Sequence, residues 1–291
     1  MTETLEVLRL AASEAGLDAS AAVLLRAGEN HIYRLPGGVV GRVARPGEAA
    51  NVTRETIVAR WLNANGISAI RPLDVSQPVV VGDRAVTFWD ELPEHRHGSV
   101  SQVAAVLRRL HSLPIPPGLR DMKLAPFVRL DQRIRDASIV TEAERRWLLG
   151  RLEDLRARWA SRPDGFPECV IHGDAWAGNV VHAHGLGVIL LDLERCSVGP
   201  PEWDLASTAV RYTSFGTMPG SDYREYCATY GRDVTDWEGY ELLRDIRELR
   251  VACYGLQRAN DDPALTDTAR HRLGCLLGEH GPRPWHWPAV G

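Results

Sequence analysis

Val170-Ile171-His172-Gly173-Asp174-Ala175-Trp176-Ala177-Gly178-Asn179-Val180-Val181, followed by Val188-Ile189-Leu190-Leu191-Asp192-Leu193-Glu194, is the stretch on which the fold turns. Its apolar runs read as short strands, each with oxygen-bearing side chains at its end. A hairpin returning through Gly185 and Gly187 would set Asn179 and Asp192 side by side. Carboxylate and amide oxygens without a thiol suit a hard divalent cation. A lone Asp at a strand end usually caps a turn. The spacing of Asp174, Asn179 and Asp192 asks for more than capping. His172, Asp174, His182 and His184 form a rival donor set for a transition metal. That reading leaves Asn179 and Asp192 without a task, and alternating histidines at a hairpin tip are commonly solvated. Cys196 has no evident activating base and reads as an inert thiol.

Upstream, Leu5, Leu8, Ala12 and Ala15 recur at helical spacing and stop at Gly16, which predicts a short packing helix. From Ala27 to Arg45 the texture is that of antiparallel strands, with Pro36-Gly37-Gly38 as a hairpin turn. A helix from about Ala50 to Asn65 follows, then strands at Val79–Val81 and Ala85–Trp89 joined by Gly82-Asp83. After Gly98 the chain turns helical, over Phe127–Ala137 and Glu142–Trp159. Helices resume after Pro200-Pro201 at Trp203–Phe215, Tyr223–Tyr230 and Trp237–Gln257. The Pro-rich segment from Gly281 to Pro288 is irregular, with aromatic residues that ask to be packed. The fold class is therefore α+β, with an antiparallel sheet lobe over 1–92 and a mainly helical lobe over 93–291.

The 291 residues carry a net charge of −4 and are 44% hydrophobic. This gives no basic footprint for nucleic acid or an anionic membrane. No apolar run is long enough to span a bilayer and the first residues lack a basic, apolar leader pattern, so a cytoplasmic protein is expected. Five scattered cysteines suggest neither a disulfide framework nor a zinc knuckle. The state is expected to be monomer or homodimer.

The order His-x-Asp, four residues, Asn, and an Asp closing the next hairpin is that of kinase catalytic segments. His172-Gly173-Asp174, Asp192-Leu193-Glu194 and Gly199-Pro200-Pro201-Glu202-Trp203-Asp204-Leu205-Ala206 together resemble the aminoglycoside phosphotransferase and choline kinase superfamily. The resemblance runs from about Ala27 to the helix after Asp204. It implies a bilobal protein-kinase-like fold and a Mg²⁺-dependent transfer from ATP or GTP to the hydroxyl of a small molecule. Within it Asp174 is the catalytic base, Asn179 and Asp192 are metal ligands, and Glu194 is a second-metal or water-mediated ligand. His172 and Asp204 support the loop from beneath.

The same resemblance puts Arg42, where a lysine is usual, on the phosphates and in a pair with Glu55, with Arg45 as competitor. Gly28-Glu29-Asn30-His31 would cover the triphosphate, Asn30 included. Trp89 (carbonyl) and Glu91 (amide) would meet the purine, with Phe88 limiting pocket depth. Glu202 and Trp203 are candidates for the acceptor site, as are Asp222, Tyr223, Glu225, Asp236, Trp237, Glu238 and Glu241 on the later helices. The expected acceptor is an antibiotic, an aminoglycoside or related natural product. The alternatives are a metabolite kinase for choline, homoserine or a sugar, and a nucleotide-binding pseudokinase. The short run from Asp192 to Asp204, with no Ala-Pro-Glu motif, speaks against a protein kinase.

Overall fold

The computed structural model describes residues 3–28 and 30–287. The chain divides into two compact units, one running to Gln102 and including Ala177–Cys196, the other made of Val103–Trp176 and the chain from Ser197 onward.

The first unit opens with α1 (Glu3–Glu14), followed by β1 (Val23–Arg26), β2 (His31–Leu35), β3 (Val39–Val43), α2 (Ala49–Ala64), β4 (Val79–Val81) and β5 (Arg84–Asp90). The five strands form one antiparallel sheet in the order β1-β2-β3-β5-β4. Gly37 and Gly38 make the β2–β3 turn at φ 78° and 73°, a region glycine enters without a Cβ penalty. Strand alternation then sorts the side chains. Tyr33, Leu35, Val43 and Phe88 face Leu8, Ala11 and Ala12 of α1 in one buried cluster. Gly41 lies on that face, where a Cβ would come within 2.5 Å of Leu8 Cδ1.

A second sheet in this unit joins β6 (His95–His97) to the hairpin β8 (Val180–Ala183) and β9 (Gly187–Leu190), in the order β6-β8-β9. The hairpin is fastened to the unit by backbone bonds from Ile70 N to Leu190 O (2.9 Å) and from Gly98 N to Val180 O (2.8 Å). β6 has no counterpart in the sequence reading, because His95-Arg96-His97 is polar throughout and exposed, and pairing alone makes it a strand. The lobe boundary expected at residue 92 thus falls inside this unit, between β5 and β6.

The second unit contains most of α3 (Val100–His111), then α4 (Leu130–Asp136), α5 (Glu142–Ala160), β7 (Cys169–Ile171), β10 (Ser197–Gly199), α6 (Glu202–Thr213), α7 (Gly220–Tyr230), α8 (Tyr240–Asp261) and α9 (Thr266–Leu277). β7 pairs antiparallel with β10. α8 is the central helix, packed against α4, α5, α6 and α9. The sequence reading did not include α9, whose buried stripe of Ala269, Leu273 and Cys275 is interrupted by Arg272, itself buried over Trp287. The C-terminal segment packs as its aromatics require: Trp287 is buried and stacks on Phe215 with ring centroids 4.8 Å apart. The expectation reached Pro288, which lies outside the described residues.

All five cysteines are free thiols, and burial pushes Cys253 up to about 12. Among the described residues no helix is long and apolar enough to cross a membrane.

Two outcomes follow for stability. Gly41→Ala forces Leu8 to move and should cost about 1–3 kcal/mol by overpacking, read as a lower midpoint in denaturant. Thr141 and Glu144 form a capping box at the start of α5, and Glu144 also accepts from Arg270 Nη1 at 2.8 Å. The Arg270 bond and the Thr141 donors hold the Glu144 carboxyl down from 4.5 to about 2. A depressed carboxyl stabilises the fold above its unfolded value and loses that contribution as pH falls through its folded value. Glu144→Gln should therefore lower stability at neutral pH and flatten the stability curve between pH 4.5 and about 2, measured by urea unfolding across that range.

Candidate active site

In the second unit β7 delivers His172, Gly173 and Asp174 to a loop held by one buried carboxylate. Asp204, in the first turn of α6 and 0% exposed, accepts from His172 N at 2.7 Å and from Gly173 N at 2.8 Å. His111 Nε2 lies 3.1 Å from the same carboxylate. Burial alone would push Asp204 up, but the His111 hydrogen bond and charge, with His172 behind them, outweigh it and hold the carboxyl below its ordinary value. An ionised carboxylate only accepts, so Nε2 donates, while Nδ1 lies 2.9 Å from the Tyr230 hydroxyl. His172 is fully buried, and its Nδ1 accepts from Asp174 N at 3.3 Å. Gly173 sits at φ 84°. Its carbonyl accepts from Trp203 Nε1 at 3.1 Å. Asp174 itself is half-buried.

Glu202 and Trp203 do not offer themselves to an acceptor. Glu202 is fully buried, with Oε1 accepting from Phe166 N at 2.7 Å, and Trp203 lies beneath the loop. Adjacency in sequence suggested a site role, but the phase of α6 turns both inward. Tyr223 and Trp237 are likewise interior: Tyr223 donates to Asp233 at 2.6 Å and Trp237 to Asp164 O at 2.9 Å. His111 and Tyr230 were not picked out from the sequence, since Leu110-His111-Ser112 carries no motif.

In the first unit the register puts Arg42 on the face of the sheet opposite α1. It pairs with Ile32 and Thr87, while Val40 two residues away pairs with Arg34 and Trp89. Ile32 and Val40 are half-exposed, so this face presents an apolar patch beside a cation. Arg42 Nη1 donates to both oxygens of Glu55 at 2.8 Å, and Nη2 to Glu194 at 3.3 Å. The Asn30 amide, oxygen toward the guanidinium, accepts from Arg42 Nη2 at 2.6 Å and Nε at 3.1 Å. Glu29 of the same loop lies outside the described residues. Arg45 makes a looser contact of 3.7 Å with Glu48.

The hairpin brings Asn179 and Asp192, the two residues expected to hold a metal, to one end. Leu191 N donates to Asn179 O at 2.8 Å, and Asp192 follows, exposed, in the left-handed region at φ 53°. Burial opposes the charge on Arg42, yet Glu55, Glu194 and Asp192 together raise it above its ordinary range. Burial pushes Glu55 up, with Asp192 and Glu194 adding to it and Arg42 pulling down. Three carboxylates gather on the Arg42 guanidinium, with Arg195 Nε 3.9 Å from Glu194, and the net negative charge that remains is what a divalent cation would offset.

The purine contacts expected at Trp89 and Glu91 are corrected by the structure. Glu91 N donates to Gly38 O at 2.7 Å, so Trp89, two residues back and opposite Val40, falls at the hydrogen-bonded position of the same ladder. The strand runs further than its sequence suggests and consumes both groups. Phe88 is on the α1 face with Gly41 and cannot bound a pocket beside Arg42; Thr87 and Trp89 occupy that face instead. The histidines of the rival metal set are also dispersed in role, His172 buried under the loop and His182 lying 3.3 Å from the cationic Arg96.

Residues 18–243 match the model of the phosphotransferase enzyme family (APH). The chain belongs to that family. Among solved structures, this family member is similar in fold to an amicoumacin kinase in complex with AMP-PNP, Ca²⁺ and amicoumacin, at 13% identity over 94% of each chain with a TM-score of 0.68. It is similar to a spectinomycin phosphotransferase with ADP and spectinomycin, at 14% identity over 98% of this chain and 97% of the other, TM-score 0.66. A choline/ethanolamine kinase family protein from Mesorhizobium loti gives 20% identity over 94% of each chain and a TM-score of 0.63. Among the curated proteins none matches. The protein-kinase-like fold, an antiparallel sheet region followed by a mainly helical one, is thereby shown for this phosphotransferase.

The buried pair gives a direct test. Glu55→Ala removes the partner of Arg42 Nη1 while Glu194 and Asn30 still hold Nη2, and should cost about 1.5–3 kcal/mol, whereas Glu48→Ala, beside Arg45, should cost under about 1 kcal/mol. Urea unfolding of the two variants separates them.

Proposed function

We propose that this phosphotransferase is a small-molecule kinase that moves the γ-phosphoryl group of ATP or GTP onto a hydroxyl of an antibiotic, an aminoglycoside or a related natural product. The observation that carries the reading is the anchored loop: Asp204 fixes the backbone of His172 and Gly173, and Asp174, half-buried, is the next residue. In this reading residues 1–92 form the nucleotide-binding lobe, and residues 93–291 carry the loop and the acceptor site.

Each residue then has a chemical task. The apolar face at Ile32 and Val40 takes the purine, and Arg42, steered by Glu55 and Asn30, takes phosphate oxygens through its planar fork. The backbone from Leu92 onward is the place for purine hydrogen bonds, since Glu91 N belongs to the sheet. Asn179 and Asp192, with Glu194 beside them, fit Mg²⁺ by their hard oxygens and by the surplus negative charge around Arg42. Bound there, Mg²⁺ supplies charge neutralisation on the phosphates. Asp174 accepts the hydroxyl proton as the acceptor oxygen bonds to γ-phosphorus. The bond from γ-phosphorus to the β–γ bridging oxygen breaks, its electron pair stays on the β-phosphate, and the nucleoside diphosphate leaves.

The antibiotic class is supported by the folds of the amicoumacin and spectinomycin enzymes. The choline/ethanolamine kinase neighbour supports a metabolite acceptor as the second reading. The intact trio Asp174, Asn179 and Asp192 favours turnover over a pseudokinase. The setting we infer is the cytoplasm, as monomer or homodimer, without nucleic acid or membrane partners.

The test is transfer from ATP and GTP with Mg²⁺ to a panel of aminoglycosides, other hydroxylated antibiotics, choline, homoserine and sugars, with products read by mass. A phosphorylated antibiotic is expected. Asp174→Ala should lower its formation by about 10²–10⁴-fold while nucleotide binding persists. Phosphorylation of choline or a sugar alone would favour the metabolite reading, and nucleotide binding with no transfer to any acceptor would favour the pseudokinase.

A further inference from the structure

The backbone of the loop at 172–174 is fastened by more than the residues that adjoin it in the motif. Arg247 lies on α8, far along the chain, and is only 7% exposed. Its Nη2 donates to Trp203 O at 2.9 Å and reaches Gly173 O at 3.4 Å. The guanidinium carbon stands 4.1 Å from the Trp203 ring centroid, a cation–π distance. Trp203 in turn donates its indole N–H to the same Gly173 carbonyl at 3.1 Å. A carbonyl oxygen has two lone pairs, and both of these donors converge on this one.

The acids flanking Arg247 on α8 are engaged elsewhere. Asp245 accepts from Arg151 at 2.7 Å and Arg158 at 3.1 Å, and Glu248 accepts from Arg283 at 2.6 and 2.7 Å. Those ion pairs hold α8 in place, and Nη2 of Arg247 meets the carbonyls of Trp203 and Gly173. The polar groups of the Gly173 residue are thus fixed from two sides, N–H by Asp204 and C=O by Trp203 and Arg247. The peptide plane that carries this carbonyl also carries the Asp174 N–H, so its orientation sets where the Asp174 side chain starts.

We propose that Arg247 is a positioning residue for phosphoryl transfer, clamping the Gly173–Asp174 peptide through the Gly173 carbonyl and the stacked Trp203. The proposal rests on the reading of Asp174 as catalytic base. Arginine suits the place because Nη2 meets both carbonyls while the weakly hydrated, planar guanidinium stands over the indole, a setting a compact, strongly hydrated lysine ammonium fills less well. A buried residue with a purely structural role would affect stability and every step of the reaction alike. A clamp on this peptide changes turnover and leaves nucleotide affinity alone.

The experiment uses the full chain with Arg247→Met and Arg247→Lys, and reads amide hydrogen exchange together with transfer kinetics. In Arg247→Met, the amides of His172, Gly173 and Asp174 should exchange at least about tenfold faster while those of the α8 core, such as Leu243, keep their protection. kcat should fall by about 10²-fold, the scale of a small misplacement of a reacting group, with the nucleotide KM within about twofold of wild type. Arg247→Lys should recover part of both effects. If the Met variant does not fold, the Lys variant is read alone, with an intermediate loss expected. Loop exchange like that of wild type, or a loss confined to KM, overturns the proposal in either variant. If the wild-type protein phosphorylates nothing, the kinase reading fails on its own, and loop exchange still decides whether Arg247 clamps this peptide.

Discussion

The carboxylate of Asp204 is the constraint on which the rest of the site depends. It is fully buried, and an unpaired charge there would be very costly. It survives because two backbone amides and an imidazole donate to it, and those donors belong to α3 and to the loop after β7. One ion therefore ties α3, α6 and the loop together. The arrangement explains why His172 and Gly173 precede Asp174: a buried ring beneath the loop and a residue at positive φ let the backbone turn both amides inward. The loop backbone is thus held by side chains other than that of Asp174.

In the first unit the governing feature is a charge imbalance. Glu55, Asp192 and Glu194 gather around Arg42 at an energetic disadvantage that burial worsens. Proteins tolerate such like-charge clusters where a ligand relieves them. The left-handed backbone of Asp192 is of the same kind, a locally unfavourable conformation that the β8–β9 hairpin maintains. Both observations fit a site that acquires a cation and a polyphosphate during its working cycle.

Much of this was legible in the sequence, for reasons that can be named. α1, α2, the β2–β3 turn and the β4–β5 hairpin were marked by periodicity or by Gly and Pro at the turns, which are local signals. The pairing of Arg42 with Glu55 came from a motif resemblance and is present as a bidentate contact. What failed to show was set by pairing and helix phase. β6 is a strand only because β8 lies beside it. Glu202 and Trp203 point inward because of where α6 begins. The Glu91 amide is consumed because β5 runs longer than its apolar stretch. His111 and Arg247 reach the loop from distant helices, and nothing in their flanking residues announces it.

Asp204→Asn tests most directly whether an ionised Asp204 organises the loop for phosphoryl transfer, by removing the charge while keeping the shape. An amide can accept one of the two backbone hydrogen bonds, but its NH₂ group then faces donors. Steady-state transfer and nucleotide binding, measured on the folded variant, should show turnover reduced by at least about tenfold with nucleotide affinity unchanged, the scale set by one charge-assisted hydrogen bond. Turnover equal to that of the wild-type protein would contradict the account.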